Sequence, residues 1–191
     1  LRKTLVLMVK EPRAGRVKTR LAADIGRIPA TWWFRHQTRR MIRRLEDARW
    51  DLVLAVSPDT EGMNSRIWPA HLPRFAQGSG DLGDRMSRVF RELGQGPIII
   101  VGGDIPGITP RHIARAFALL ARRDAVLGPA PDGGYWLIGL ARKVAVPPTL
   151  LKNVRWSTKD AMEDTVASLS GLRIGITDTL NDVDRGVDLS A

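Results

Sequence analysis

Pro97-Ile98-Ile99-Ile100-Val101-Gly102-Gly103-Asp104-Ile105-Pro106-Gly107 is the stretch that decides the fold. Three isoleucines and a valine in succession predict a strand over 97–101 that is covered on both faces, since an all-apolar run has no side left for water. The glycine pair ends the strand and leaves Asp104 to project from it. Thr109-Pro110 then supplies a helix N-cap and a first-turn proline, and Ile113, Phe117 and Leu120 mark the buried stripe of the helix that follows.

Working outward, strands and helices alternate. Upstream, Thr4 to Val9 predicts a first buried strand and Lys10 to Arg20 a basic loop. A helix is expected over 29–48, with Arg35, Arg39 and Arg43 at i, i+4 spacing on one face. Asp51 to Val56 predicts a strand, Arg74 to Gln77 a short one, and Leu82, Met86, Val89 and Leu93 an amphipathic helix. Downstream, Ala125 to Leu127 and Tyr135 to Gly139 predict strands around a glycine-rich turn. Ser157 with Asp160 predicts a capping box for a helix through Met162, Val166 and Leu169; Leu172 to Ile176 predicts a last strand. The class is therefore α/β: a three-layer, Rossmann-like domain over 1–191 with a mostly parallel central sheet.

Composition narrows the chemistry. The 191 residues contain no cysteine, which excludes disulfide scaffolds, thiolate metal sites and a cysteine nucleophile. Thirty basic residues face 20 acidic ones, for a net charge of +10, and only six of the thirty are Lys. Such a surface favours anionic partners, nucleotides among them. No run of ~18 apolar residues predicts a membrane span, and Leu1 to Val9 is too short for a signal peptide. A cytoplasmic protein is expected. Five arginines between Arg35 and Arg44 form the best nucleic-acid feature, but no recognisable module accompanies them; no nucleic-acid partner is expected.

In open α/β sheets, ligands bind outside the carboxyl ends of the strands. Gly15-Arg16-Val17-Lys18-Thr19-Arg20, after the first strand, combines a glycine, which lets backbone approach an anion, with three cations. It is neither a Walker A loop nor a dinucleotide fingerprint. Asp104 is placed either to hold a hard cation, which needs only one or two carboxylates plus phosphate oxygens, or to cap the turn before Thr109-Pro110. Asp178, Asp182, Asp184 and Asp188 form an acidic cluster near the end of the sequence. Asp132-Gly133-Gly134-Tyr135-Trp136 predicts either a substrate-binding turn or a hairpin turn. Asp81 is a plausible N-cap, and Arg85 in the first helical turn opposes the helix dipole, a placement that suits a facing anion.

Four motifs occur in order: Lys10-x-Pro12-x-x-Gly15-x-Val17-Lys18-Thr19-Arg20-Leu21, Asp81-Leu82-Gly83-x-Arg85-Met86, Gly103-Asp104-Ile105-Pro106-Gly107 and Gly128-Pro129-x-x-Asp132-Gly133-Gly134-Tyr135. Together they resemble GT-A-type, glycosyltransferase-like proteins known as radical-SAM/selenodomain-associated (arsenosugar-type) transferases, a branch of the nucleotide-diphospho-sugar transferase superfamily. The resemblance implies nucleotide phosphate binding on the loop of Gly15, Arg16, Lys18, Thr19 and Arg20, and Mg²⁺ or Mn²⁺ held by Asp104 and Asp184. The residues themselves add Arg85, Gly133 and Gly134 to the candidate nucleotide site; the candidate catalytic residues are Asp104 and Lys18, to stabilise the leaving group, and Asp132, as general base for glycosyl transfer. The segment Asp184-Arg185-Gly186-Val187-Asp188-Leu189 keeps two Asp and the Leu of the superfamily's closing motif but lacks its Thr-Pro-Glu. The implied activity is glycosyl transfer from a nucleotide sugar to a small-molecule acceptor. Nucleotidyl transfer from a nucleoside triphosphate to a phosphorylated acceptor is the alternative.

Overall fold

The computed structural model describes residues 2–143 and 145–181. In chain order the elements are β1 (Thr4–Lys10), α1 (Thr19–Ile25), α2 (Arg27–Leu45), β2 (Asp51–Ser57), α3 (Asp59–Asn64), β3 (Arg74–Ala76), α4 (Leu82–Glu92), β4 (Ile98–Gly102), α5 (Pro110–Leu120), β5 (Ala125–Pro129), β6 (Tyr135–Leu140), α6 (Ala161–Ser168) and β7 (Ile174–Ile176). The strands form one seven-stranded sheet in the order β3-β2-β1-β4-β6-β5-β7. Pairings within β3-β2-β1-β4 and between β5 and β7 are parallel; β6 runs antiparallel to both of its neighbours. The sheet is thus mostly parallel, as the alternating pattern predicts.

The period-2 geometry of each strand sorts its side chains onto two cores. Leu5, Leu7 and Val9 of β1, Leu52, Leu54 and Val56 of β2, and Ile99 and Val101 of β4 pack with α2 and α5. Val6, Val53, Ala55, Ile98 and Ile100 point the other way and pack with α4 and with Ala161 at the start of α6. Residues Ile98 to Val101 are at most 2% exposed, which explains why the run carries no polar residue.

From β1 the chain crosses to β2, then β3, and returns through α4 to β4 on the other side of β1. The carboxyl ends of β1 and β4 therefore flank the point where the winding reverses, and loops diverge there to leave a crevice.

Local details refine the sequence expectations. Asp81 is the N-cap of α4 in a reciprocal box with Asp84: Asp84 N–H donates to Asp81 Oδ1 at 2.9 Å, and Asp81 N–H to Asp84 Oδ2 at 3.1 Å. Thr109 caps α5, with Pro110 in its first turn. The predicted Ser157 cap is not formed. Asp160 is the N-cap of α6, and Ser157 lies in the left-handed region with φ 61°. The helix α1, which begins in the last two residues of the expected basic loop and runs on to Ile25, and the short α3, were not predicted.

Candidate functional site

The loop after β1 is fixed at its root. Glu11 N–H donates to Ser57 O at 2.8 Å, and Ser65 Oγ donates to Glu11 Oε1 at 3.0 Å. Val17 is buried and pins the middle of the loop to the core. Arg16 and Arg20 are exposed around it. Lys18 takes a left-handed conformation (φ 47°, ψ 50°) immediately before α1. A non-glycine residue there costs of order 1 kcal/mol and persists only where its surroundings impose it. The side chain is 7% exposed, and its Nζ donates to Asp104 Oδ2 at 2.7 Å.

Asp104 follows β4 on a loop held from below by α2. Arg44 Nη1 donates to Pro106 O at 2.5 Å and to Ile108 O at 3.0 Å, and Thr38 Oγ1 donates to Gly103 O at 3.4 Å. The other carboxylate oxygen, Oδ1, folds over Gly102, where an added Cβ would sit 2.9 Å from it.

These groups open onto a cleft of about 640 Å³, within the range of small-molecule sites. Lys10, Arg16, Lys18, Thr19 and Arg20 line it from the end of β1, Gly102, Gly103 and Asp104 from the end of neighbouring β4, and Asp132, Gly134 and Tyr135 from the start of β6 on the far side of β4. Residues drawn together from 10–20, 102–104 and 132–135 thus share one cavity. Gly15, Arg85 and Gly133 do not line it. Gly15 turns the backbone at φ 77°. Gly133 (φ 88°) packs against backbone: an added Cβ would lie 2.1 Å from Lys159 O, and Met162 N–H donates to Gly133 O at 3.1 Å. Arg85 braces the strand ends, donating from Nε to Gly80 O at 3.1 Å and from Nη1 to Ser57 Oγ at 3.0 Å and Gln77 Oε1 at 3.3 Å. Asp184 lies outside the described residues, as do Asp182 and Asp188. Asp178 does not line the cleft and is paired with Arg115 at 2.5 Å; its carbonyl accepts the Trp136 indole N–H at 2.8 Å.

Several cleft residues escape sequence reasoning. Gln77 is buried and donates from Nε2 to Ala55 O at 2.7 Å and Val9 O at 3.2 Å, tying β2 to β1 beside the loop. Leu82 and Met86 of α4 reach the cleft, as do Trp156, Ser157 and Thr158. Trp156 meets Tyr135 edge to face, with centroids 6.4 Å apart. Burial pushes the Tyr135 hydroxyl well above the usual phenol range, partly offset by the hydrogen bond from Thr165 Oγ1 at 3.2 Å. The ring therefore stays neutral and fixed. A signal for Trp156 exists only in retrospect: an aromatic beside two small hydroxyl residues, ahead of a helix.

Among the described residues no group of three or more His, Cys, Asp or Glu forms a metal cluster. Asp104 presents a single carboxylate to the cleft, and the cations on the facing loop supply no further ligands. Such a site fits a hard cation whose remaining ligands are phosphate oxygens and water.

This sheet, with a cationic loop and a carboxylate meeting at its switch point, has the fold of a solved protein described as a nucleotide-diphospho-sugar transferase. The chain is similar to a protein from Desulfovibrio desulfuricans G20 described provisionally as a nucleotide-diphospho-sugar transferase, with 28% identity and a TM-score of 0.82 over 96% of this chain and 82% of that one. It is similar in fold to CMP:2-keto-3-deoxy-manno-octonic acid synthetase complexed with CTP (14% identity, TM-score 0.59, 100% of this chain and 96% of that one). It is also similar in fold to Rv0371c of Mycobacterium tuberculosis H37Rv, whose structure is a complex with manganese (16% identity, TM-score 0.55, 100% and 97%). No curated protein matches the sequence. The chain belongs to DUF2064, a family described as an uncharacterized protein conserved in bacteria, which matches residues 41–158. No helix among the described residues is long and apolar enough to cross a membrane.

Proposed function

We propose that the chain is a transferase that takes a nucleotide-diphospho-sugar as donor and moves its glycosyl group to a small acceptor. One observation carries this reading: Lys10, Arg16, Lys18 and Arg20 converge with Asp104 on a single cleft at the carboxyl ends of β1 and β4. A diphosphate bound between them meets positive charge from one loop and, from Asp104, a carboxylate suited to Mg²⁺ or Mn²⁺. That metal, when bound, supplies charge stabilisation for the leaving diphosphate. Arg16, Lys18 and Arg20 orient the donor and share the developing charge. The acceptor hydroxyl oxygen bonds to the anomeric carbon. The bond from that carbon to the phosphate oxygen breaks, and its electron pair leaves with the nucleoside diphosphate. Asp132 lines the same cleft and is the candidate to accept the hydroxyl proton; its Oδ1 accepts the Gly134 N–H at 2.9 Å. The four sequence motifs support the finer placement, within the radical-SAM/selenodomain-associated branch.

Nucleotidyl transfer is the second reading. Four cations on one loop also suit a triphosphate, and the fold is that of a synthetase complexed with CTP. In that reaction a phosphorylated acceptor attacks the α-phosphorus and pyrophosphate leaves.

A thermal-shift panel of nucleotide sugars against nucleoside triphosphates, with and without Mg²⁺ or Mn²⁺, tests both. A ligand at ~100 times its Kd stabilises by about 2.7 kcal/mol, roughly 5–10 °C for a chain of this size. A metal-dependent shift with one nucleotide sugar supports glycosyl transfer. A shift confined to one triphosphate, with pyrophosphate released, replaces it with the second reading.

A further inference from the structure

We infer that the acceptor is an uncharged molecule with a hydroxyl group and a ring or other apolar face, and not a phosphorylated one. The inference rests on the glycosyl-transfer reading and names the acceptor of that same site.

The distribution of charge around the cleft carries it. Among the described residues, every cation that lines the cleft belongs to 10–20. Outside that loop the lining includes Tyr135 and Trp156, which meet each other, with Ser157, Thr158 and Ala161, and its only charged members among the described residues are Asp104 and Asp132. Cations nearby are engaged elsewhere or face away. Arg155, next to Trp156, is bound to Asp164 at 2.9 Å and Asp160 at 2.8 Å. Arg85 is turned onto Gly80, Ser57 and Gln77. Lys159 lends its backbone to the packing under Gly133 and does not line the cleft.

A donor diphosphate uses the loop cations. A phosphorylated acceptor would then bring a second polyanion beside Asp132, with no cation among the described lining residues outside 10–20 to meet it. That arrangement is unfavourable through like charge. A neutral ring meets the reverse situation. The edge-to-face pair of Tyr135 and Trp156 offers aromatic surface, Ser157 and Thr158 add hydroxyls, and Asp132 is available to an acceptor hydroxyl.

The test uses a matched pair of probes, 2-phenylethanol and 2-phenylethyl phosphate, observed by saturation-transfer NMR on the whole chain. Each is measured with and without a saturating nucleoside diphosphate (ADP, CDP, GDP or UDP) and Mg²⁺. Expected is alcohol binding that survives saturation by the nucleoside diphosphate and weakens at least tenfold in Trp156→Ala. The phosphate ester should bind only where the nucleoside diphosphate displaces it. Ser157→Lys, at an exposed position next to Trp156, should let the phosphate ester bind alongside the nucleoside diphosphate, and serves as the test if Trp156→Ala does not fold. Phosphate-ester binding to the unaltered chain alongside the nucleoside diphosphate, tighter than the alcohol, overturns the inference. So does a lack of alcohol binding at millimolar concentration. If no nucleoside diphosphate binds while the alcohol still depends on Trp156, the donor reading fails and the neutral subsite stands.

Discussion

Lys18 Nζ and Asp104 Oδ2 stand 2.7 Å apart, joining the loop after β1 to the end of β4 across 86 positions of sequence. The ammonium lies where a cation bound to that carboxylate would compete with it. If the proposed function holds, ligand binding is expected to involve a handover, with Lys18 moving onto donor phosphate as the metal takes Asp104. Asp104→Asn is expected to fold and to lose the metal-dependent part of nucleotide binding, at least tenfold in Kd. Lys18→Met is expected to weaken nucleotide binding with or without metal while leaving Mn²⁺ affinity of the free protein equal or higher. Calorimetric titration with nucleoside diphosphate and electron paramagnetic resonance with Mn²⁺ check the two halves. Equal metal dependence in Asp104→Asn and the unaltered chain would remove the metal from Asp104.

Gly102 and Gly133 separate site geometry from folding. A Cβ on Gly102 would meet Asp104 Oδ1 at 2.9 Å, and the side chain, being the mobile partner, has to turn away. Gly102→Ala should retain most of its stability but reproduce the metal-binding loss of Asp104→Asn. A Cβ on Gly133 would meet the Lys159 backbone, which cannot yield as a side chain does, and the residue has φ 88°. Gly133→Ala is expected to cost more than about 2 kcal/mol, from backbone strain and overpacking together. Paired thermal melts and nucleotide titrations decide whether the two glycines divide in this way.

Arg85 was singled out in the sequence because a cation in the first turn of a helix opposes the dipole. The structure supplies its partners from the protein itself: Gly80 O, Ser57 Oγ and Gln77 Oε1. The strands were legible because apolar runs such as 98–101 record burial on both faces. The reversal of β6 was not, since period-2 alternation is the same in either direction. The helix α1 was hidden because only Leu21 of its seven residues is buried, so it has no apolar stripe to read. Asp104 and the loop cations were legible as strand-end residues. Gln77 and Trp156 were not, because a single polar or aromatic residue carries no spacing. Asp104→Asn and Arg85→Met should differ accordingly: a bracing arginine affects stability and donor KM together, whereas a metal-holding carboxylate affects metal dependence.

Gln77 makes the bracing role measurable. Its amide satisfies the carbonyls of Val9 and Ala55 and accepts from Arg85. Gln77→Ala removes the bonds from the amide to those carbonyls and the acceptor for Arg85, and is expected to cost about 0.5–1.5 kcal/mol per bond lost. Gln77→Glu keeps the shape but removes the donors to Val9 O and Ala55 O, while the added charge favours Arg85. It should destabilise the chain without abolishing nucleotide binding. Denaturant unfolding of both variants, with the m-value unchanged, checks this.

Acid should loosen the edge of the sheet before its centre. Hydrogen bonds from Arg173 hold the Asp124 carboxyl down to about 2, and those from Arg155 do the same for Asp164. The first pair ties the residue before β7 to the residue before β5; the second ties the Trp156 loop to α6. Because each folded-state value lies below the ordinary 3.8, the unfolded chain binds more protons between about pH 4 and pH 2, so stability rises with pH in that window. The contribution is fully present above about pH 4 and is lost as the pH falls towards 2. Both pairs are exposed, so the effect should be small and reduced by salt. Melting temperatures measured from pH 5 to 2 should fall less steeply in Asp124→Asn and Asp164→Asn than in the unaltered chain. Superimposable pH profiles would show that these pairs contribute nothing to the fold.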